Sequence, residues 1–504
     1  MSGSHPGAAP RWAGRRALVL LFLLTLPLVT PKVRGADEIE YFSYLRSLVF
    51  DHDVEFGNEY DRFYAADPRG LAGFKATFLD RRETETGRHI NFAPLGCALL
   101  WSPFYLLAHA GVLAARAMGA RVAADGFSFP YVAAVCYASA LYGLAGLLLV
   151  HDTLRDHGRM PEAAATLSVA ALWLGTPLLY YMTLAPAFSH APGVFAVALL
   201  VWLSLRAATR GSGGTAGSPP LEQRARIAAR LHCVEPRQRD LAALGPHSAR
   251  AMDASIWEWA AIGAVGGLAA LVREQDGLFL IIPAGLATHR AIGRRDWTAA
   301  VARSAAIGVA ALLAFSPQLL AYRALTGRFG PSRLVARKMS WSSPHLLQVL
   351  FDPGHGLFAW SPLLLVATGG LAYLVWRRRD LTVVLLALAL LLQVWINGAV
   401  ESWTQAGAFG ARRFVSSTPI FAWGLAALLA AVPARRFRLA VLGLVLFVAW
   451  NVGLVVQFGL KLMDRQRLEW PRVAVNQVSE VPRHLARAAW LFFTDRERLV
   501  REGR

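Results

Sequence analysis

The chain has 504 residues, 55% of them apolar and 17% charged, against about 25% charged in an ordinary soluble domain, which excludes a simple water-soluble globule. Its 52 basic and 33 acidic residues leave a net charge of +19. In so apolar a chain that excess belongs in membrane loops, so a nucleic-acid partner is set aside.

The first apolar run, 17–30, follows Arg11, Arg15 and Arg16 and contains Pro27. It suits either a short span or a signal peptide ending near 33–36, and a retained helix is favoured because polytopic chains rarely need a cleaved signal. Residues 1–16 are then cytoplasmic and 34–127 form the first extracytoplasmic loop. Asp37 and Glu38 open that loop, and Ile39, Phe42, Leu45 and Val49 follow at helical spacing, which predicts an interfacial amphipathic helix. Two carboxylates at a helix N-terminus serve as caps, or accept a proton from an incoming nucleophile. The acidic run Asp51 to Asp61 reads as a solvated loop rather than a cation site. Arg88 and His89 come next, at the mouth of an apolar stretch broken by Pro94 and Pro103.

Whether 91–127 crosses decides the orientation of everything after it. If it does not, Arg155 and Arg159, the 206–250 stretch, Arg290 with Arg294 and Arg295, Arg377 to Arg379, and Arg435, Arg436 and Arg438 all lie inside, as the positive-inside rule asks. The segment is therefore read as re-entrant or interfacial. Windows of about 20 apolar residues then fall at 129–151, 162–181, 190–206, 256–272, 275–291, 298–320, 355–376, 381–397, 414–432 and 439–460. The expectation is an all-α polytopic membrane protein of about 11 crossings. The transmembrane domain covers 17–460, with a basic cytoplasmic loop at 207–255 that opens on the Gly/Ser-rich linker 211–220, and a short extracytoplasmic tail at 461–504. Three separated cysteines offer no metal or disulfide pattern.

With this topology the unusual polar residues share the outer side. Ser189 and His190 sit between two prolines, Arg273, Glu274 and Asp276 occupy a hairpin tip, and Arg412 and Arg413 stand just before a span. Outer arginines run against the positive-inside tendency, and a lipid phosphate gives them a purpose through bidentate hydrogen bonds. Asp352 to Phe358 is a Gly-rich turn with little diagnostic weight.

An Asp-Glu pair directly behind the first helix, an interfacial helix after it and polar outer loops resemble the integral-membrane glycosyltransferases with the C-type fold, especially their protein O-mannosyltransferase and aminoarabinose-transferase branch. The segments 88–105, 185–190, 356–362 and 403–414 are similar in style to uncharacterised bacterial members, and the likeness covers about 15–460. It implies transfer of a sugar from a polyprenyl-phosphate donor to a lipid, glycan or protein acceptor on the outer face, with inversion. Asp37 would be the catalytic base and Glu38 its partner, while Arg412 and Arg413, with Arg273 and Arg88 behind them, would bind the donor phosphate. His89, His190 and Glu274 would shape the acceptor side. No cofactor is required; a divalent metal could be accommodated without being needed. Ala, Arg and Leu richness points to a bacterial plasma (inner) membrane. The rival readings are a ligase or polymerase with a lipid-diphosphate donor, kept open by the 323–345 loop, and a secondary transporter or flippase.

Overall fold

The computed structural model describes residues 12–80, 84–210, 254–293, 295–405 and 407–495. The linker at 211–220 and most of the basic loop lie outside them. Among the described residues the chain is helical throughout, with an isolated bridge between Met339 and Val400 in place of a sheet. Helices longer than four residues that bear on the argument are α1 (Ala13–Thr25), α2 (Ala36–Arg46), α3 (Gly57–Ala66), α4 (Gly96–Ala117), α5 (Phe129–Asp156), α6 (Glu162–Leu174), α7 (Leu178–Thr183), α8 (His190–Thr209) and α9 (Ile256–Val272). They continue as α10 (Ile281–Gly293), α11 (Trp297–Thr326), α12 (Pro362–Arg378), α13 (Leu381–Gly398), α14 (Thr418–Ala431), α15 (Ala434–Gly459), α16 (Trp470–Val478) and α17 (Glu480–Thr494).

The protein is a polytopic membrane protein. Among the described residues seven helices are long and apolar enough to cross a bilayer: α4, α5, α8, α11, α13, α15 and the helix Arg412–Ala431 that contains α14. Others among the expected spans are shorter or broken. The 162–181 span stops at Gly175–Pro177, because Pro177 has no N–H to continue the ladder. Asn451 of α15 repairs the break by donating to the carbonyls of Leu174 (2.8 Å) and Thr176 (3.0 Å).

Close helix crossings hold the bundle together. An added Cβ would meet Ile307 O at 2.2 Å from Gly263 and Ala311 O at 2.3 Å from Gly267, so α9 lies directly on α11. The same holds for α12 on α14, where a Cβ on Gly424 would stand 2.0 Å from Ala367 O. Small residues allow backbones to approach this closely and gain packing where lipid provides no hydrophobic drive. At the other edge α1 is docked through polar contacts. Gly14 N donates to Glu162 Oε1 (2.9 Å), and Arg15 pairs with Asp152 (2.7 Å) at the end of α5.

α4 is a continuous helix of 22 residues that runs through Pro103. Its contacts run antiparallel to the first half of α5. Trp101 Nε1 donates to Ser139 Oγ (2.8 Å), Tyr142 OH to Leu100 O (2.9 Å), and His109 Nδ1 meets Tyr131 OH at 2.7 Å. The far end of α5 is the part that holds the start of α1. The tail is more structured than expected: α16 folds back onto α15, with Gln477 Nε2 donating to Trp450 O (2.9 Å) and Trp470 stacked on Trp450.

Candidate active site

Four segments bring their polar residues together at one end of the bundle. α2 begins at Gly35, and Glu38 caps it: its Oε2 accepts the N–H groups of Arg34 (2.9 Å) and Gly35 (2.8 Å). Glu38 is buried, and burial pushes its carboxyl up to about 7. Glu38 thereby holds the start of the helix that carries Asp37. Asp37, one residue earlier, faces outward with its side chain 42% accessible. Arg412 Nη1 donates to its Oδ2 at 2.5 Å.

Arg412 owes its place to the turn Arg412–Ser417 leading into α14 and to Phe188, whose ring lies 5.4 Å beneath the guanidinium. Phe188 also stacks on His190 at the start of α8, and His190 packs against Tyr181 with ring centroids 4.2 Å apart. The backbone turns extended at Arg273, between α9 and a 3-10 turn over Glu274–Leu280, which points the side chain across to α8. There Arg273 Nη1 donates to Ser189 Oγ (3.2 Å) and His190 Nδ1 (2.9 Å), and Ser189 Oγ donates to Tyr41 OH (2.8 Å) of α2. Asp276 of the same tip feels the Arg273 charge without accepting a hydrogen bond from it.

Arg413 is held by its backbone and its side chain. Gln275 Nε2 donates to Arg413 O (2.8 Å), and Arg413 Nη2 donates to Ser402 Oγ (3.3 Å). Arg413 lies within electrostatic range of Arg412, Arg273 and Asp37. Like charges gathered against a single carboxylate repel unless an anion joins them. Glu274 is accessible and has no ion-pair partner among the described residues.

Two expected residues are directed elsewhere. Arg88 Nη1 reaches Ala324 O (3.4 Å) at the end of α11, a long weak contact. His89 is buried and pairs with Glu55. Sequence reasoning also passed over the carboxylate of Glu40. Glu40, three residues after Asp37 and so on the same helix face, is buried and accepts the Phe92 N–H at 2.6 Å. Burial and the neighbouring Asp37 hold it well above the usual carboxylate range. The i, i+3 spacing could have flagged it. Asp276 of the hairpin tip is fully buried beside Arg273 and Ser416, close to where a Cβ on Gly193 would stand. Among the described residues no group of three or more His, Cys, Asp or Glu could hold a metal ion.

No family model and no curated protein matches the chain. Among solved structures, ArnT from Cupriavidus metallidurans bound to undecaprenyl phosphate is similar to it, with a TM-score of 0.44 and 14% identity over 98% of this chain and 77% of that one.

Proposed function

We propose that the protein is a membrane glycosyltransferase that moves a sugar from a polyprenyl-phosphate donor to an acceptor on the extracytoplasmic face. The observation that carries this reading is the Asp37–Arg412 pair: an accessible carboxylate on the first-loop helix, held by one of three neighbouring guanidiniums. The donor phosphate is an anion that can take Arg412 from Asp37, since guanidinium binds phosphate bidentately. Arg413 and Arg273 supply further positive charge. Asp37, released, accepts the proton of the acceptor hydroxyl or amine as its oxygen or nitrogen bonds the anomeric carbon. The bond from that carbon to the phosphate oxygen breaks on the opposite side, which inverts the centre. The leaving phosphate gains negative charge, so preplaced arginines favour the transition state over the ground state. Glu38 and Tyr41 position α2, and His190 holds Arg273. Glu274 borders the acceptor side.

A donor with two phosphates is the second reading, favoured by the presence of three guanidiniums where one phosphate needs fewer. Polyprenyl monophosphate and diphosphate, titrated against the wild type and Arg412→Ala, distinguish the two. The monophosphate reading expects tight monophosphate binding that the variant weakens about tenfold or more, as loss of a charged hydrogen bond does. Equal binding by wild type and variant counts against Arg412 as the phosphate ligand.

A further inference from the structure

The tail after α15 folds back to the side of that helix, short of its end. Gln457 Nε2 of α15 donates to Val473 O of α16 (3.2 Å), Gln477 packs where Gly453 has no side chain, and Trp470 stacks on Trp450. The charged residues of α15 stop at Arg438, and from there to Gly459 the helix rises about 32 Å, close to the roughly 30 Å of a hydrocarbon core. Gln457 and Gly453 stand about 3 and 9 Å before the helix end, so α16 crosses α15 just inside the edge of the hydrocarbon layer. Leu442 and Leu446 share the face of α15 that carries Trp450, Gly453 and Gln457, and both are exposed. The tail therefore sits on a lipid-facing side of the bundle.

Both tail helices turn apolar side chains away from the protein. On α16, Val473 is buried while Val475 and Val478 (79% exposed) are uncovered. On α17, Val481 and Leu491 are buried, and Leu485, Ala489 and Phe493, four residues apart, form an uncovered stripe with Trp490 beside it. Charge is kept off that stripe: Arg472 pairs with Glu469 (3.2 Å), Arg483 (2.9 Å) and His484 (3.3 Å) pair with Glu480, and Arg487 falls on the opposite face. A helix of this pattern lies in the plane of the interface with its apolar face about 5–10 Å deep.

We infer that α16 and α17 form an in-plane membrane anchor whose face of Val475, Val478, Leu485, Trp490 and Phe493 is covered by the acyl chains of the leaflet at the C-terminal end of α15. The depth at which α16 meets α15 identifies the occupant as lipid. The stretch between α15 and α16 also reaches the candidate active site: Gln466 Oε1 accepts the Gly407 N–H (3.0 Å) and the Leu468 N–H donates to Pro353 O (2.9 Å). The anchor is thus tied to the loop that leads into Arg412. Its placement is independent of the sugar-transfer reading.

The test uses the full chain in liposomes with nitroxide labels on Val478→Cys and Phe493→Cys. Cys97 and Cys136 are buried, and Cys233 is replaced by Ser. Electron paramagnetic resonance power saturation compares collisions with oxygen, which enters the acyl layer, and with a water-soluble nickel chelate. Leu446→Cys on α15 and Arg467→Cys in the exposed turn before α16 mark the apolar and aqueous limits. The anchor predicts an oxygen-to-nickel ratio at both tail positions about fivefold or more above that of Arg467→Cys, towards that of Leu446→Cys. A smaller ratio at either position overturns it in favour of a face in water. Exclusion of both collision partners overturns it in favour of a face covered by protein.

Discussion

Replacing Asp37 by Asn removes one charge while keeping the shape and one acceptor for Arg412. Two unit charges about 4 Å apart attract by about 4 kcal/mol at an effective dielectric of 20. The carboxylate is 42% accessible, and solvent screening reduces that to about 1 kcal/mol. The unfolding midpoint should therefore move by only a few degrees. Loss of a general base costs about 10²- to 10⁴-fold in rate, so turnover and stability respond on different scales. Arg412 is meanwhile freed for the donor phosphate, so Asp37→Asn should bind donor at least as tightly as the wild type. Initial rates at saturating donor, donor affinity and the unfolding midpoint are measured on the same preparation. Turnover within about threefold of wild type, or donor affinity falling in parallel with rate, would refute Asp37 as the proton acceptor.

Arg412→Ala should weaken donor binding and Arg412→Lys should restore part of it, because lysine returns the charge without the fork; equal affinity in all three proteins contradicts the role. Arg88→Ala should leave turnover within about twofold of wild type, since its side chain reaches a carbonyl of α11; a hundredfold loss would return it to the donor site. Glu38, pushed up to about 7, makes wild-type stability fall as pH rises from the ordinary carboxylate range through about 7. Glu38→Gln cannot ionise, so its midpoint should exceed that of wild type at about pH 8 and lose that advantage at about pH 5; parallel pH profiles would show that burial of the charge is not what raises this group. Gly424→Ala puts a methyl 2.0 Å from Ala367 O and should cost about 1–3 kcal/mol by overpacking; an unchanged midpoint would mean that α12 and α14 do not touch there.

Hydropathy made the all-helical membrane class legible, because every backbone polar group in lipid must be satisfied within a helix. It could not show where helices break inside an apolar run. The stop at Gly175–Pro177 depends on Asn451, far along the chain, to satisfy the freed carbonyls. Asp37, Glu38 and the arginines could be singled out from their positions beside spans. Their partners could not, since the contact of Arg412 with Asp37 joins residues 375 positions apart. Arg88 and His89 looked equivalent to them in sequence, and only packing against Ala324 and Glu55 separates them from the cluster. The tail read as a short appendage because α16 reveals its role only through side chains that meet α15.

The most direct test of the central claim is sugar transfer in proteoliposomes supplied with a panel of polyprenyl-phosphate sugars and crude membrane acceptors, with donor loss followed by mass spectrometry. The wild type should consume at least one donor and release polyprenyl phosphate, while Asp37→Asn should not. Consumption of no monophosphate donor by the wild type, or equal consumption by the variant, would contradict a glycosyltransferase built on Asp37 and Arg412.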